Sequence, residues 1–252
     1  MRFGIFVRSA LAFVAVMLAA SLAPAMAQVT HVVVRARSLD AKFIGTHTGG
    51  VSVVLTDAAT GHVLAQGQIG GGTGDTARIM QTPPARFGAI SDGETAGFEA
   101  VLNLTRPTLV KAEAKGPLGQ PASAITVSSM MWIIPGRDVV GDGWMLTFPG
   151  LAIDAKVVRS TGHAPKVTAN VTMMCGCPIT PGGLWDSNDF TVEVYLLVGD
   201  RIVARTTLGY AGTASQFAGD LPNVAPGRFT LRIVAVSTKT PNAGVVEQPV
   251  DL

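Results

Sequence analysis

From residue 28 onward, apolar and polar positions alternate with a period of two over most of the chain, and no stretch sustains a helical period. Val192, Val194, Leu196 and Val198 share one face of a predicted strand, while Thr191, Glu193 and Tyr195 take the other. Gly199-Asp200 supplies a tight turn, and 202–208 returns as the second strand of a hairpin. Phe229, Leu231, Ile233 and Ala235 alternate in the same way, and 245–252 reads as a closing strand. Short strands punctuated by Gly and Pro predict an all-β chain of antiparallel sandwiches, each sheet burying one face.

The first half runs through the same order. Residues 51–57, a turn at 58–61 and residues 62–68 form an equivalent hairpin; 98–104 answers to the stretch near Phe217, and 108–114 to 229–235. The segment 124–132 matches 245–250, and 32–36 matches 167–171. Gly49-Gly50 and Gly182-Gly183 close corresponding loops. The pattern predicts an internal repeat of roughly 100 residues, the size of one β-sandwich. The expected organisation is a leader at 1–27, a first sandwich at 28–160 with a long Gly-rich loop at 68–94, and a second sandwich at 161–252. Strand 151–159 can be claimed by either unit. The hairpin 51–68, with its Asp57-Ala58-Ala59-Thr60-Gly61 turn, resembles transthyretin-like and immunoglobulin-like secreted modules. That likeness covers generic turn chemistry and assigns no family.

Arg2 and Arg8 precede an apolar run at 10–20, and Ala25-Met26-Ala27 has the small-x-small spacing read by signal peptidase. This predicts a secretory signal peptide cut before Gln28, and a periplasmic or secreted product with no membrane span after cleavage. The first residue left is not a lipid-acceptor Cys. Losing the two arginines brings the 19 basic residues level with the 17 acidic ones, so strong steering toward a charged partner is not expected. The charged fraction is 14% and no dense Lys/Arg patch occurs, which excludes a polybasic nucleic-acid binder. Arg outnumbers Lys by 13 to 6, which with abundant Ala, Val and Gly suggests a GC-rich bacterial source.

The sharpest chemical feature is Met173-Met174-Cys175-Gly176-Cys177-Pro178, which holds both cysteines of the chain. In an oxidising compartment such a pair predicts a disulfide. On an extended strand its Cα atoms would stand about 6.6 Å apart, so closure needs a bend, which Gly176 permits and Pro178 encourages. A ring this small adds little folding stability and is expected to be easier to reduce than a structural bridge. The soft donors Met173, Cys175 and Cys177, with His163, also suggest a copper or thiol-redox site. Strand geometry turns Met173, Cys175 and Cys177 one way and Met174 the other.

A second candidate is Gly70-Gly71-Gly72-Thr73-Gly74-Asp75-Thr76, inside an insertion with no counterpart in the second half. Insertions on a rigid scaffold are where binding loops accumulate. No Lys follows at phosphate-loop spacing, so a nucleotide site is not predicted. The third is Gly182 through Asp189, where Trp185 and Asp186 are candidate contacts; Asp186, Asn188 and Asp189 lack calcium-loop spacing and read as turn formers. Asp138 and Asp142 near Trp144 read the same way. No G-x-S-x-G or H-E-x-x-H motif occurs, and the four histidines are scattered. The expected function is therefore non-enzymatic: an exported binding or structural protein of the envelope, contacting another protein or a surface through 70–76 and 175–189. No cofactor is expected. The alternative is a periplasmic Cu(I)-binding or thiol-redox protein.

Overall fold

A computed structural model of the chain describes residues 26–159 and 164–252. Nearly all of the regular structure is β. The first half holds β1 (Gln28–Ser38), β2 (Val51–Asp57), β3 (Val63–Ile69), β4 (Phe98–Leu104), β5 (Thr108–Gly116), β6 (Ile125–Ile133) and β7 (Val139–Phe148). The second holds β8 (Leu151–Val158), β9 (Lys166–Met173), β10 (Phe190–Val198), β11 (Arg201–Tyr210), β12 (Gln216–Asp220), β13 (Arg228–Ser237) and β14 (Ala243–Asp251). Among the described residues no helix is long and apolar enough to cross a membrane. The leader at 1–27 lies almost wholly outside the described residues.

Three sheets form, ordered β4-β1-β7, β3-β2-β5-β6 and β14-β13-β10-β11-β12-β9-β8. Their ladders are antiparallel except β1 with β7. The pairing order of the first half recurs in the second. β4 lies beside β1 as β12 lies beside β9, and β3-β2-β5-β6 matches β11-β10-β13-β14. The halves differ where β11 bonds β12, joining both groups of strands into one seven-stranded sheet. β7 and β8, consecutive in the chain, take the outer place beside β1 and β9 respectively.

β8 departs from the expected boundary. It pairs with β9 along its whole length, from Leu151 opposite Met173 to Val158 opposite Lys166, and so belongs to the second half's sheet. The cause is its buried face, since Leu151 and Ile153 pack into the second core. The residues 160–163 that the sequence offers as a boundary lie outside the described ones.

Two apolar cores follow from the alternation. Val32, Val34 and Ala36 of β1, Val51, Val53 and Leu55 of β2, and Leu146 and Phe148 of β7 fill the first. Val167, Ala169 and Val171 of β9, with Val192, Val194, Leu196, Leu231 and Ile233, fill the second. Each Val, Leu, Ile or Phe among them contributes about 1.5–3 kcal/mol when fully buried. Adjacent methionines serve opposite cores, Met173 the second and Met174 the first. Polar clamps join the same region. The Asn242 side chain accepts from Gly150 N–H at 2.8 Å and donates to the Leu39 carbonyl at 3.0 Å.

The Gly-rich segment is strapped to this frame. Thr46 N–H donates to the Gly71 carbonyl at 3.0 Å, Gly71 N–H to Thr46 Oγ1 at 2.9 Å, and Gly72 N–H to the Glu94 carbonyl at 2.8 Å. Close approach demands glycine on both sides: Gly71 sits at φ 123°, and a Cβ on Gly45 would lie 2.2 Å from the Gly71 carbonyl oxygen. Gly45→Ala should therefore cost about 1–3 kcal/mol or more, because the obstacle is backbone that cannot rotate away. Urea unfolding of the variant measures this.

Candidate functional site

The strand β9 ends in a reversal built by its own sequence. Gly176 N–H donates to the Met173 carbonyl at 2.8 Å and Met173 N–H to the Cys177 carbonyl at 3.2 Å, with Gly176 at φ 76°. The turn brings the Cys175 and Cys177 Cα atoms to 5.4 Å, and a disulfide joins them. His47, on a short 310 turn (Thr46–Thr48), lies over this turn: a Cβ on Gly176 would sit 2.9 Å from its Cδ2. Trp185 closes the far side, its indole N–H donating to the Asp40 carbonyl at 2.8 Å while its ring packs in the second core.

These elements enclose a groove of about 500 Å³. One wall is Gly71, Gly72, Thr73 and Thr76 with Lys42 and His47; the other is Cys175, Gly176, Cys177, Pro178 and Trp185. The insertion in the first half thus faces the cysteine turn of the second across a single opening. Both cysteines are nearly covered, at 1% and 4% exposure, so the groove is their route to solvent.

Not every residue singled out by the sequence lines it. Gly70 borders a smaller cavity with Arg35, Glu94 and Glu99. Gly74 packs toward Ile79, and Asp75 accepts from Arg78 N–H at 2.7 Å, starting a π-helical turn (Ala77–Gln81). Asp186 caps a 310 turn (Ser187–Asp189), accepting from Asn188 N–H at 3.0 Å, and that bond, with further ones from Gly182 and the Asn188 side chain, holds its carboxylate below the usual range. Met173 is a core residue with its side chain away from the groove wall. His163 lies outside the described residues. Among those described, no group of three or more His, Cys, Asp or Glu is placed to hold a metal ion. With the cysteine sulfurs bonded to each other, thiolate coordination would require the reduced pair.

Gly176 and Pro178 fall within the 175–189 candidate segment, whereas Lys42 and His47 belong to no candidate the sequence offers. Lys42 and His47 precede the first hairpin and carry no motif; only the fold carries them across to Cys175.

The groove's insertion wall rests on a buried cation. Arg35 of β1 is 8% exposed and donates from Nε to the Gly141 carbonyl at 3.1 Å and from Nη1 to the Thr95 and Ala96 carbonyls. Burial lowers its pKa, opposed by Asp142 and Asp92. Asp142 stands on a bulge of β7 between Gly141 and Gly143, both at positive φ. It accepts from the Ser91 hydroxyl at 2.6 Å, Ser91 N–H at 2.8 Å and Ile90 N–H at 3.1 Å. Burial alone would raise its pKa, but these bonds and Arg35 outweigh it and hold the carboxyl below its usual range. A depressed folded-state pKa contributes stability that is full above the unfolded carboxyl value and lost as pH falls through the folded one. Asp142→Asn should therefore flatten part of the acid limb of a stability–pH curve, below about pH 4. Denaturant unfolding across pH 2–6 checks it.

No family model matches the chain, and no curated protein matches it. Among solved structures, a DUF3823 family protein from Parabacteroides merdae ATCC 43184 aligns over 90% of this chain and 99% of its own, at 12% identity and a TM-score of 0.29. At that score the similarity carries no argument.

Proposed function

We propose that the chain is an exported, non-enzymatic binding protein of the bacterial envelope, and that its contact region is the groove between 71–76 and 175–185. One observation carries the reading. An insertion peculiar to the first half and the cysteine turn of the second line one opening. The walls are rigidly held, since the Gly-rich segment is hydrogen-bonded on both sides, and preorganised surfaces bind with less ordering cost. The absence of common hydrolase motifs favours binding over turnover.

The test is site-specific photocrosslinking in the producing cell. A crosslinker at Thr73, on the groove, should yield discrete adducts that one at Thr60, in the turn at the far end of β2, does not. The same adduct set from both positions refutes the assignment. N-terminal sequencing of the exported chain tests export separately, with Gln28 expected first.

A further inference from the structure

We propose that the Cys175–Cys177 disulfide is a reactive centre in the groove, exchanging with low-molecular-weight thiols that bear a negative charge. The proposal rests on the groove being open to ligands, as the binding reading does, and adds a chemistry to it. Among the described residues, the ionisable side chains lining the groove apart from the cysteines are Lys42 and His47, and no Asp or Glu lines it. Lys42 is steadied by the Gly74 carbonyl, 3.5 Å from its Nζ, and His47 lies against the turn that carries both sulfurs.

This charge arrangement suits exchange for a definite reason. Breaking the S–S bond leaves one sulfur as a thiolate, and a bare charge in so covered a position is costly unless a cation stands near. A lower pKa of the departing thiol also speeds its departure. In the first step the incoming thiolate attacks the sulfur of Cys177, the slightly more exposed residue of the two; a mixed disulfide forms and the bonding pair leaves on Cys175. A second thiolate attacks the ligand sulfur of that mixed disulfide and releases Cys177. Two thiols become one disulfide, and their two electrons and two protons pass to the cysteine pair. An oxidised thiol drives the sequence in reverse. A groove of about 500 Å³ suits small partners.

The experiment uses the folded chain with glutathione, free thiols being alkylated and counted by intact mass. Exchange should proceed without denaturant, and Cys175→Ser should accumulate a glutathione adduct on Cys177 when given oxidised glutathione. Lys42→Met should slow exchange roughly three- to tenfold, and Lys42→Arg should restore it. The slowing should be smaller with 2-mercaptoethanol, which bears no carboxylate, whereas a Lys42 that acted only through its bond to Gly74 would slow both thiols alike. Reduction only under denaturing conditions, or equal rates for wild type and Lys42→Met, overturns the proposal. Crosslinks at Thr73 that survive in Cys175→Ser/Cys177→Ser, beside a native disulfide inert to glutathione, would leave the binding reading standing and remove this one.

Discussion

Replacing Arg35 by Met should lower stability by about 3–5 kcal/mol, the combined loss of three hydrogen bonds from one charged donor. Methionine keeps most of the aliphatic stem, so the loss reports the guanidinium and not a cavity. Three carbonyls, those of Thr95, Ala96 and Gly141, lose their donor together. Unpaired buried acceptors each cost about 1–3 kcal/mol. Asp142 also loses the cation that favours its charged form. The damage should spread to the groove, because 94–97 is the strip to which Gly70 and Gly72 are hydrogen-bonded. Chemical denaturation gives the magnitude, and hydrogen exchange at Gly72 and Ala96 shows whether that strip opens first. A loss under about 1 kcal/mol would mean that water takes over the carbonyls, and the insertion would then not depend on Arg35.

Trp185→Ala should cost about as much, 3–5 kcal/mol, through the opposite wall. The ring is 8% exposed and packs in the second core, while its N–H reaches the Asp40 carbonyl of the first half. Truncation removes both the core contact and that tie. Trp185→Phe separates the two: the aromatic volume is largely kept, and the loss should shrink to about 1 kcal/mol for the hydrogen bond. The measured quantity is the urea midpoint at constant slope. If alanine and phenylalanine cost the same, the indole N–H and not packing holds this wall.

The hairpins β2–β3 and β10–β11 were legible because their partners are neighbours in sequence and the alternation fixes which face is buried. The same logic gave the opposed directions of Met173 and Met174. The likeness of the two halves was visible as strand order, and the pairings of β1 with β4 and β9 with β12 follow it. β8 was not assignable, since Leu151 and Ile153 alternate as well for one sheet as for another. The parallel ladder of β1 with β7 leaves no local mark, its partners lying about a hundred residues apart, as Val34 and Trp144 do. The groove was half legible. Gly71, Gly72, Thr73, Thr76, Cys175, Cys177 and Trp185 were marked by composition and rarity, but their convergence is tertiary. Lys42 and His47 are ordinary loop residues in the sequence, and Arg35 is one of several polar residues on β1, with Thr30, His31, Arg37 and Ser38 beside it.

That parallel ladder sets an order of events for the growing or refolding chain. β2 with β3 and β5 with β6 each join strands that are near neighbours and precede β7 in the chain, so these ladders close first, over short loops. β1 gains its second neighbour only when the polypeptide reaches Phe148, across a loop whose closure entropy is larger. Long-range pairing of this kind slows folding. Until β7 arrives, one backbone edge of β1 is unpaired, and an unfinished chain can pair there with another copy of itself.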